Sequence, residues 1–336
     1  MSDHVCTSAA RSRPLSGARA WVLLLIAALS ATALGCRSAA STPPPSSPPE
    51  QPTESDTRPA EPHDADDMVS VPAGTFLMGT PEDELSLIVE LCRQINPAPT
   101  GCNRERLIAH HRNETPQREV YVSGFSIGRN EVTNAEYERC VSEGGCTARD
   151  FDRCVFFAGR EHVHGGTLDE VQARDDHPVV CVSWEQAAAY CQHAGGALPT
   201  EAQWEKAARG VDGRVFPWGN DWNPLGANWA EGEHTGSVDG YVTTSPVGSF
   251  PAGASPYGAL DMVGNVWEWV ADRYAEDAYA QGAASDPQGP ETGTGRVMRG
   301  GGYAAQPLAQ RTAKRVPRDP PEAYVNIGFR CARPAQ

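Results

Sequence analysis

Positive charge is in short supply in this chain. Twenty-eight lysines and arginines face 43 acidic residues across 336 positions, a formal charge of −15. There is no basic stripe and no regular spacing of aromatics on which bases could stack, which excludes nucleic acid as a partner class. Long apolar runs are also missing. The longest, Ala20 to Leu34, is too short to cross a bilayer comfortably, and Arg11, Arg13 and Arg19 precede it. From Arg37 to Asp67 apolar side chains almost vanish, leaving Pro, Ser, Thr and acidic residues. Such a stretch cannot bury enough surface to offset its ordering entropy, so no packed core is expected there. No second linker of that kind follows Met68.

What is present starts with an export signal. The arginine-led apolar run ends in Ala33, Leu34, Gly35 and Cys36, which resembles a bacterial lipobox with its leucine one place late. Residues 1–35 are therefore expected to be a signal peptide of lipoprotein type, with Cys36 the lipidated first residue of the mature chain. Residues 36–67 read as a Pro/Ser-rich tether and residues 68–336 as one domain. The expected location is the bacterial cell envelope, periplasmic side or outer surface, with the membrane reached through the lipid. Eight cysteines remain in the domain, at 92, 102, 140, 146, 154, 181, 191 and 331. An even number in an exported chain argues for disulfides, without saying which pairs form.

Met68 to Gly79 alternates around a Pro-Ala-Gly turn and reads as a hairpin, and Val120 to Ile127 as a strand. Thr80, Pro81 and Asp83 read as the start of a helix carrying Leu85, Ile88, Val89 and Cys92 on one face. Asn96 to Asn113 reads as irregular. Asn134 opens a second helix that stops at Gly144 and Gly145. Ser183 with Gln186, and Thr200 with Gln203, form capping boxes for two more. Between the second and third helices, Asp150 to His177 contains His162 and His164. Without a fixed third ligand these point to a solvated loop and not to zinc.

One stretch reads as a site. In YGALDMVGNVWEW, Asp261 and Glu268 are hard carboxylates, and Gly258 and Gly264 let the backbone turn carbonyl oxygens to the same point. That composition suits calcium, which takes six to eight oxygen ligands. A core turn in which Trp267 and Trp269 pack and Glu268 pairs with an arginine fits the spacing equally well.

PAGTFLMG, EVTNAEY, HPVVCVSWEQAAAYC, LPTEAQWEKAAR, FPWG, YGALDMVGNVWEW, RVMRGGGY and NIGFRCA occur in an order that resembles the sulfatase-modifying factor, or formylglycine-generating enzyme, family from Met68 to Ala332. The resemblance implies an α+β fold, irregular and mixed, related to the C-type-lectin fold and low in regular secondary structure. It implies two structural calcium ions. One would lie at Asn228, the Trp229 carbonyl, Asp239 and the Tyr241 carbonyl; the other at Asp261, the Gly264 and Val266 carbonyls, and Glu268. It also implies a Cys191 to Cys331 disulfide, whereas the family's second bond falls on Ala208 and Arg315. Local spacing matches Cys92 with Cys102 and Cys140 with Cys146, leaving Cys154 with Cys181.

The resemblance breaks at the chemistry. Oxidase members bind Cu(I) through two cysteines, because soft thiolates suit that ion. Here those positions fall on Ala305 and Gln310, and the active-site serine falls on Gly302. No catalytic residue is therefore expected and copper is not an expected cofactor. The expected role is a binding or scaffold module for a protein, peptide or glycan, with Trp218, Trp222, Arg299 and Arg311 as candidate surface anchors. The competing reading is a formylglycine-generating oxidase acting on a cysteine of a sulfatase-type substrate.

Overall fold

The computed structural model describes residues 67–95, 102–158, 161–170, 172–231, 234–235, 238–293 and 295–335. All belong to the second of the chain's two units, Arg58–Gln336. Cys36 and the stretches expected to be a signal peptide and a tether lie outside the described residues, except Asp67, whose carboxylate accepts from Arg129 at 2.8 Å. Among these residues no helix is long and apolar enough to cross a membrane.

Strands β1 (Met68–Val71) and β2 (Gly74–Met78) do not form the expected hairpin. Lys206, almost fully buried, explains the separation, because its ammonium donates to the carbonyls of Pro72, Gly74 and Val122. The link between the strands is thus turned to a cation and not closed on itself. Helix α1 (Leu85–Ile95) starts later than Thr80, whose hydroxyl donates to the Glu114 carboxylate and whose amide donates to the Glu114 carbonyl. Helix α2 (Arg104–His111) lies in the stretch that reads as irregular; Asn103 caps it by accepting from the Arg106 amide. Its weak apolar periodicity hid it.

The strand expected at 120–127 is two, β3 (Arg118–Val122) and β4 (Phe125–Gly128), broken where Ser123 donates to Asp286. Strand β3 pairs antiparallel with β2, and β4 with β1. Helix α3 (Asn134–Ser142) is capped by Thr133 in a box with Glu136, one residue before the expected cap. Asn134 instead donates to the carbonyls of Gln172 and Arg174. The expected solvated loop contains a hairpin, β5 (Cys154–Ala158) and β6 (Glu161–His164). His162 and His164 are exposed on it.

Helices α4 (Trp184–His193) and α5 (Glu201–Arg209) carry both expected capping boxes. The chain then runs through long loops with few elements: β7 (Ala230–Glu231), β8 (His234–Thr235), β9 (Trp267–Arg273), α6 (Ala278–Gln281) and β10 (Arg296–Arg299). Strands β11 (Arg315–Arg318), β12 (Ala323–Tyr324), β13 (Ile327–Phe329) and β14 (Ala332–Pro334) complete it. The central sheet is ordered β11-β10-β9-β13, with β13 parallel to β9; β1, β4 and β14 form another, and β12, β5 and β6 a third. This is the expected α+β class, mixed and low in regular structure.

Apolar residues alternate inward along the strands and meet Trp204 and Trp269, both fully buried. Such irregular chain needs fastening beyond ladder hydrogen bonds. Four disulfides supply it, in the expected pairs: Cys92–Cys102, Cys140–Cys146, Cys154–Cys181 and Cys191–Cys331.

Candidate functional site

The turn that follows β10 passes through Gly300, Gly301 and Gly302. Gly301 has φ +79°, and a Cβ there would come within 2.7 Å of Gln310 Cγ, so glycine is what lets this backbone lie against Gln310. Gln310 is fully buried. Its Nε2 donates to the carbonyls of Asn228 (3.2 Å), Gly302 (3.3 Å) and Ala305 (3.2 Å). The amide therefore ties together the three positions named in the copper comparison, Gly302, Ala305 and its own, while its Oε1 has no partner. A carboxamide nitrogen aimed at three carbonyls offers no soft donor, so these residues do not fit Cu(I).

Beneath that turn sits a charged clamp. Arg299, fully buried, donates to Glu201 Oε1 at 2.9 Å and Glu205 Oε2 at 2.6 Å and lies over the Trp204 ring. Arg315 takes both oxygens of Glu201, and Arg209 takes Glu205 Oε1 at 2.8 Å. Burial alone would raise the Glu205 pKa, yet the Arg299 and Arg209 guanidiniums hold it below the usual carboxylate range. Arg311 forms a two-pronged pair with Glu114, both bonds 2.8 Å, and Lys314 stands 3.6 Å from the same carboxylate. Burial opposes ionisation of Glu114, but Arg311 and Lys314 outweigh it and pull its pKa down to about 2.

These contacts correct the expected surface anchors. Arg299 and Arg311 do not face solvent; their carboxylate partners, far away in sequence, draw them into the interior. Trp218 and Trp222 are half-buried and form an aromatic cluster with Phe216 and Trp229. Phe216 stacks on Trp218 at 5.4 Å, and Trp222 meets Trp229 edge-on at 5.2 Å.

At the first expected calcium loop the Asp239 carboxylate draws two stretches of backbone together. Asn228 is buried with its Oδ1 unpartnered. The Asp239 carboxylate accepts from the amides of Trp229 (2.6 Å) and Tyr241 (3.0 Å), the residues whose carbonyls complete the set. At the second expected calcium loop, Asp261 and Glu268 have different partners. Asp261, at φ +52°, keeps a buried, unpartnered Oδ1. Glu268 is held by Arg330 at 2.7 and 2.8 Å and by the Trp204 indole at 2.8 Å. This is the arginine pairing that the spacing also allowed. Gly264 and Val266 are both buried beside it.

Sequence reading missed Glu131 and Asn265 here. Glu131 is buried with Oε2 unpartnered. Burial first, and then the Asp261 carboxylate, raises its pKa well above the normal range. Asn265 donates to Glu131 Oε1 and accepts from Asn228 Nδ2, joining the two loops through one side chain. Orphaned buried oxygens at Asn228, Asp261 and Glu131 fit a hard cation. Among the described residues no three His, Cys, Asp or Glu side chains converge as a metal cluster, so backbone and amide oxygens would have to complete either site.

Residues 53–335 match the family of the sulfatase-modifying factor enzyme 1-like domain. The chain is 33% identical over 304 residues to the formylglycine-generating enzyme of Mus musculus, covering 79% of this chain and 74% of that protein. It is 40% identical over 303 residues to the inactive C-alpha-formylglycine-generating enzyme 2 of Bos taurus, covering 79% and 87%. The solved structure of PvdO from Pseudomonas aeruginosa superposes with a TM-score of 0.58 at 29% identity, covering 80% of this chain and 94% of that one.

Proposed function

The chain belongs to the family of sulfatase-modifying factor enzyme 1-like domains, and from that premise we propose that it is a non-catalytic binding module lacking cysteine-oxidase chemistry. The observation that carries this reading is Gln310. Where oxidase members would place the second copper thiolate, a buried amide donates to the carbonyls of Asn228, Gly302 and Ala305. The first thiolate position is an alanine. The similarity to a relative named inactive, at 40% identity, supports the same reading. The test is a Cu(I) titration of the purified protein beside a peptide-cysteine oxidation assay. No stoichiometric copper uptake and an unchanged peptide are expected; formylglycine formed with turnover would overturn the proposal.

Calcium belongs to the same proposal as a fastener. Asn228, Trp229, Asp239 and Tyr241 would hold one ion. Asp261, Gly264 and Val266 would hold the other, with Glu131 supplying its unpartnered oxygen and Glu268 only the lone pair that Arg330 and Trp204 leave. The ions would neutralise buried carboxylates and cross-link the loops. Elemental analysis is expected to find two calcium ions per chain, and chelation to lower the melting temperature; a calcium-free protein indifferent to chelator would remove them. Lipidation at Cys36 would place the module on the cell envelope, which the intact mass of the mature chain checks.

A further inference from the structure

The recognition surface expected around Arg299 and Arg311 is interior, so a binding role needs another place. A cavity of about 440 Å³ lies between the start of α5, the end of β9, α6 and the loop at 287–292, within the size range of small-ligand sites. The chain beside it is fastened to β3. The Tyr121 amide donates to the Ala284 carbonyl, the Asp286 amide donates to the Tyr121 carbonyl, and Ser123 donates to the Asp286 carboxylate. We propose that this cavity binds a neutral polyhydroxy ligand, a sugar unit, through Asp272 and Arg118.

One buried oxygen there is left without a donor. Asp272 is only 3% exposed and lines the cavity. Its Oδ2 accepts from the Glu201 amide at 2.7 Å, whereas Oδ1 has no hydrogen bond among the described residues. Leaving a carboxylate oxygen so is costly unless something in the cavity donates to it. Gly289, at φ +73°, lies against the same group: a Cβ there would stand 2.9 Å from Oδ1, so only glycine leaves that oxygen unblocked. Arg118 also lines the cavity, half-buried. Its Nη1 donates to the Gly282 carbonyl at 2.6 Å, and among the described residues no carboxylate pairs with it. The chain thus offers one acceptor and one donor that it does not use itself.

Charge decides between ligand classes. The clamp beside Asp272 shares Glu201 and Glu205 among Arg209, Arg299 and Arg315, which leaves one positive charge over. Arg118 adds to it, while Asp272 and the exposed Asp277 and Glu291 oppose it. Positive and negative groups come close to balance, so neither an anion nor a cation is drawn in strongly. A neutral ligand meets no such opposition, but it must donate to Asp272 and accept from Arg118. A hydroxyl does both. Burial, and then the Glu201 carboxylate, raise the Asp272 pKa to about 7, so near neutral pH the carboxyl group can itself take either side of such a bond. Gln288 and Thr292 line the same cavity and extend that chemistry.

This names the ligand class for the binding role and rests on that reading. No oxidase assay enters its test, so the two fail separately. Saturation-transfer NMR on the full-length chain would use methyl α-glucoside, N-acetylglucosamine, L-serine and acetate, each at about 10 mM. Transfer to at least one of the two sugars is expected, and none to serine or acetate. Asp272→Asn and Arg118→Gln are each expected to weaken sugar binding about tenfold. Arg118→Gln keeps the backbone ladder of β2 and β3 and should leave the melting temperature unchanged, which separates a lost contact from a lost fold. No transfer to either sugar, tighter binding of serine or acetate, or sugar affinity unchanged in both variants would each overturn the proposal.

Discussion

Arg299 and Gln310 are both fully buried and stand at either end of one short loop, yet they hold their surroundings by opposite means. Around Arg299 the interior is ionic, because Glu201 and Glu205 are each shared between two arginines. Around Gln310 it is neutral, with one amide donating to three carbonyls. Removing one member of the ionic region strands a charge away from water. Removing the amide leaves only carbonyl oxygens short of a donor. The scaffold is thus under a stricter physical constraint than the turn it supports, and a chain can keep this fold while the residues of that turn change.

The comparison breaks most sharply at the clamp. Arg299→Ala is expected to cost about 3 to 5 kcal/mol, measured by chemical denaturation; a cost near zero would mean the ion pairs add nothing over neutral packing. Acid sharpens it next. The folded pKa of Glu114 is depressed from 4.5 to about 2, so its contribution is complete above the unfolded value and is lost as pH falls through the folded one. The loss is on the order of 3 kcal/mol, and it should appear as a pH-dependent difference between the parent and Glu114→Gln. A difference flat across that window contradicts it. On the neutral side, Gln310→Ala is expected to cost about 1 to 3 kcal/mol; a cost matching Arg299→Ala would erase the distinction between the regions. Smallest is Thr200→Ala, which uncaps the helix carrying Glu201 and Glu205 and should cost about 1 kcal/mol, read from the shift in denaturation midpoint.

The capped helices α4 and α5 were legible because a capping box is a local signal, complete within four residues. Thr133 was missed by one position because Asn134 caps equally well on paper, and only the distant carbonyls of Gln172 and Arg174 draw it away. The opening hairpin failed for the same reason: Lys206 lies 134 residues from Pro72 and decides where that carbonyl points. Arginine next to a glycine turn reads as surface until Glu201 and Glu205 are placed beside it. Motif order made the fold legible, and with it the alanine and glutamine at 305 and 310. It carried Asp261 to the second loop, but Glu131, 130 positions earlier, gave no local sign of belonging there.

Cys191 and Cys331 are 140 residues apart, and the ring they close contains α5, both candidate calcium loops, and the clamp and amide turn compared above. A protease that nicks the chain inside this ring, for instance at the exposed Gly240, produces no fragment that can drift away. Unreduced, the nicked protein should run as a single species and lose nothing on dialysis, and only after reduction should it fall into two bands.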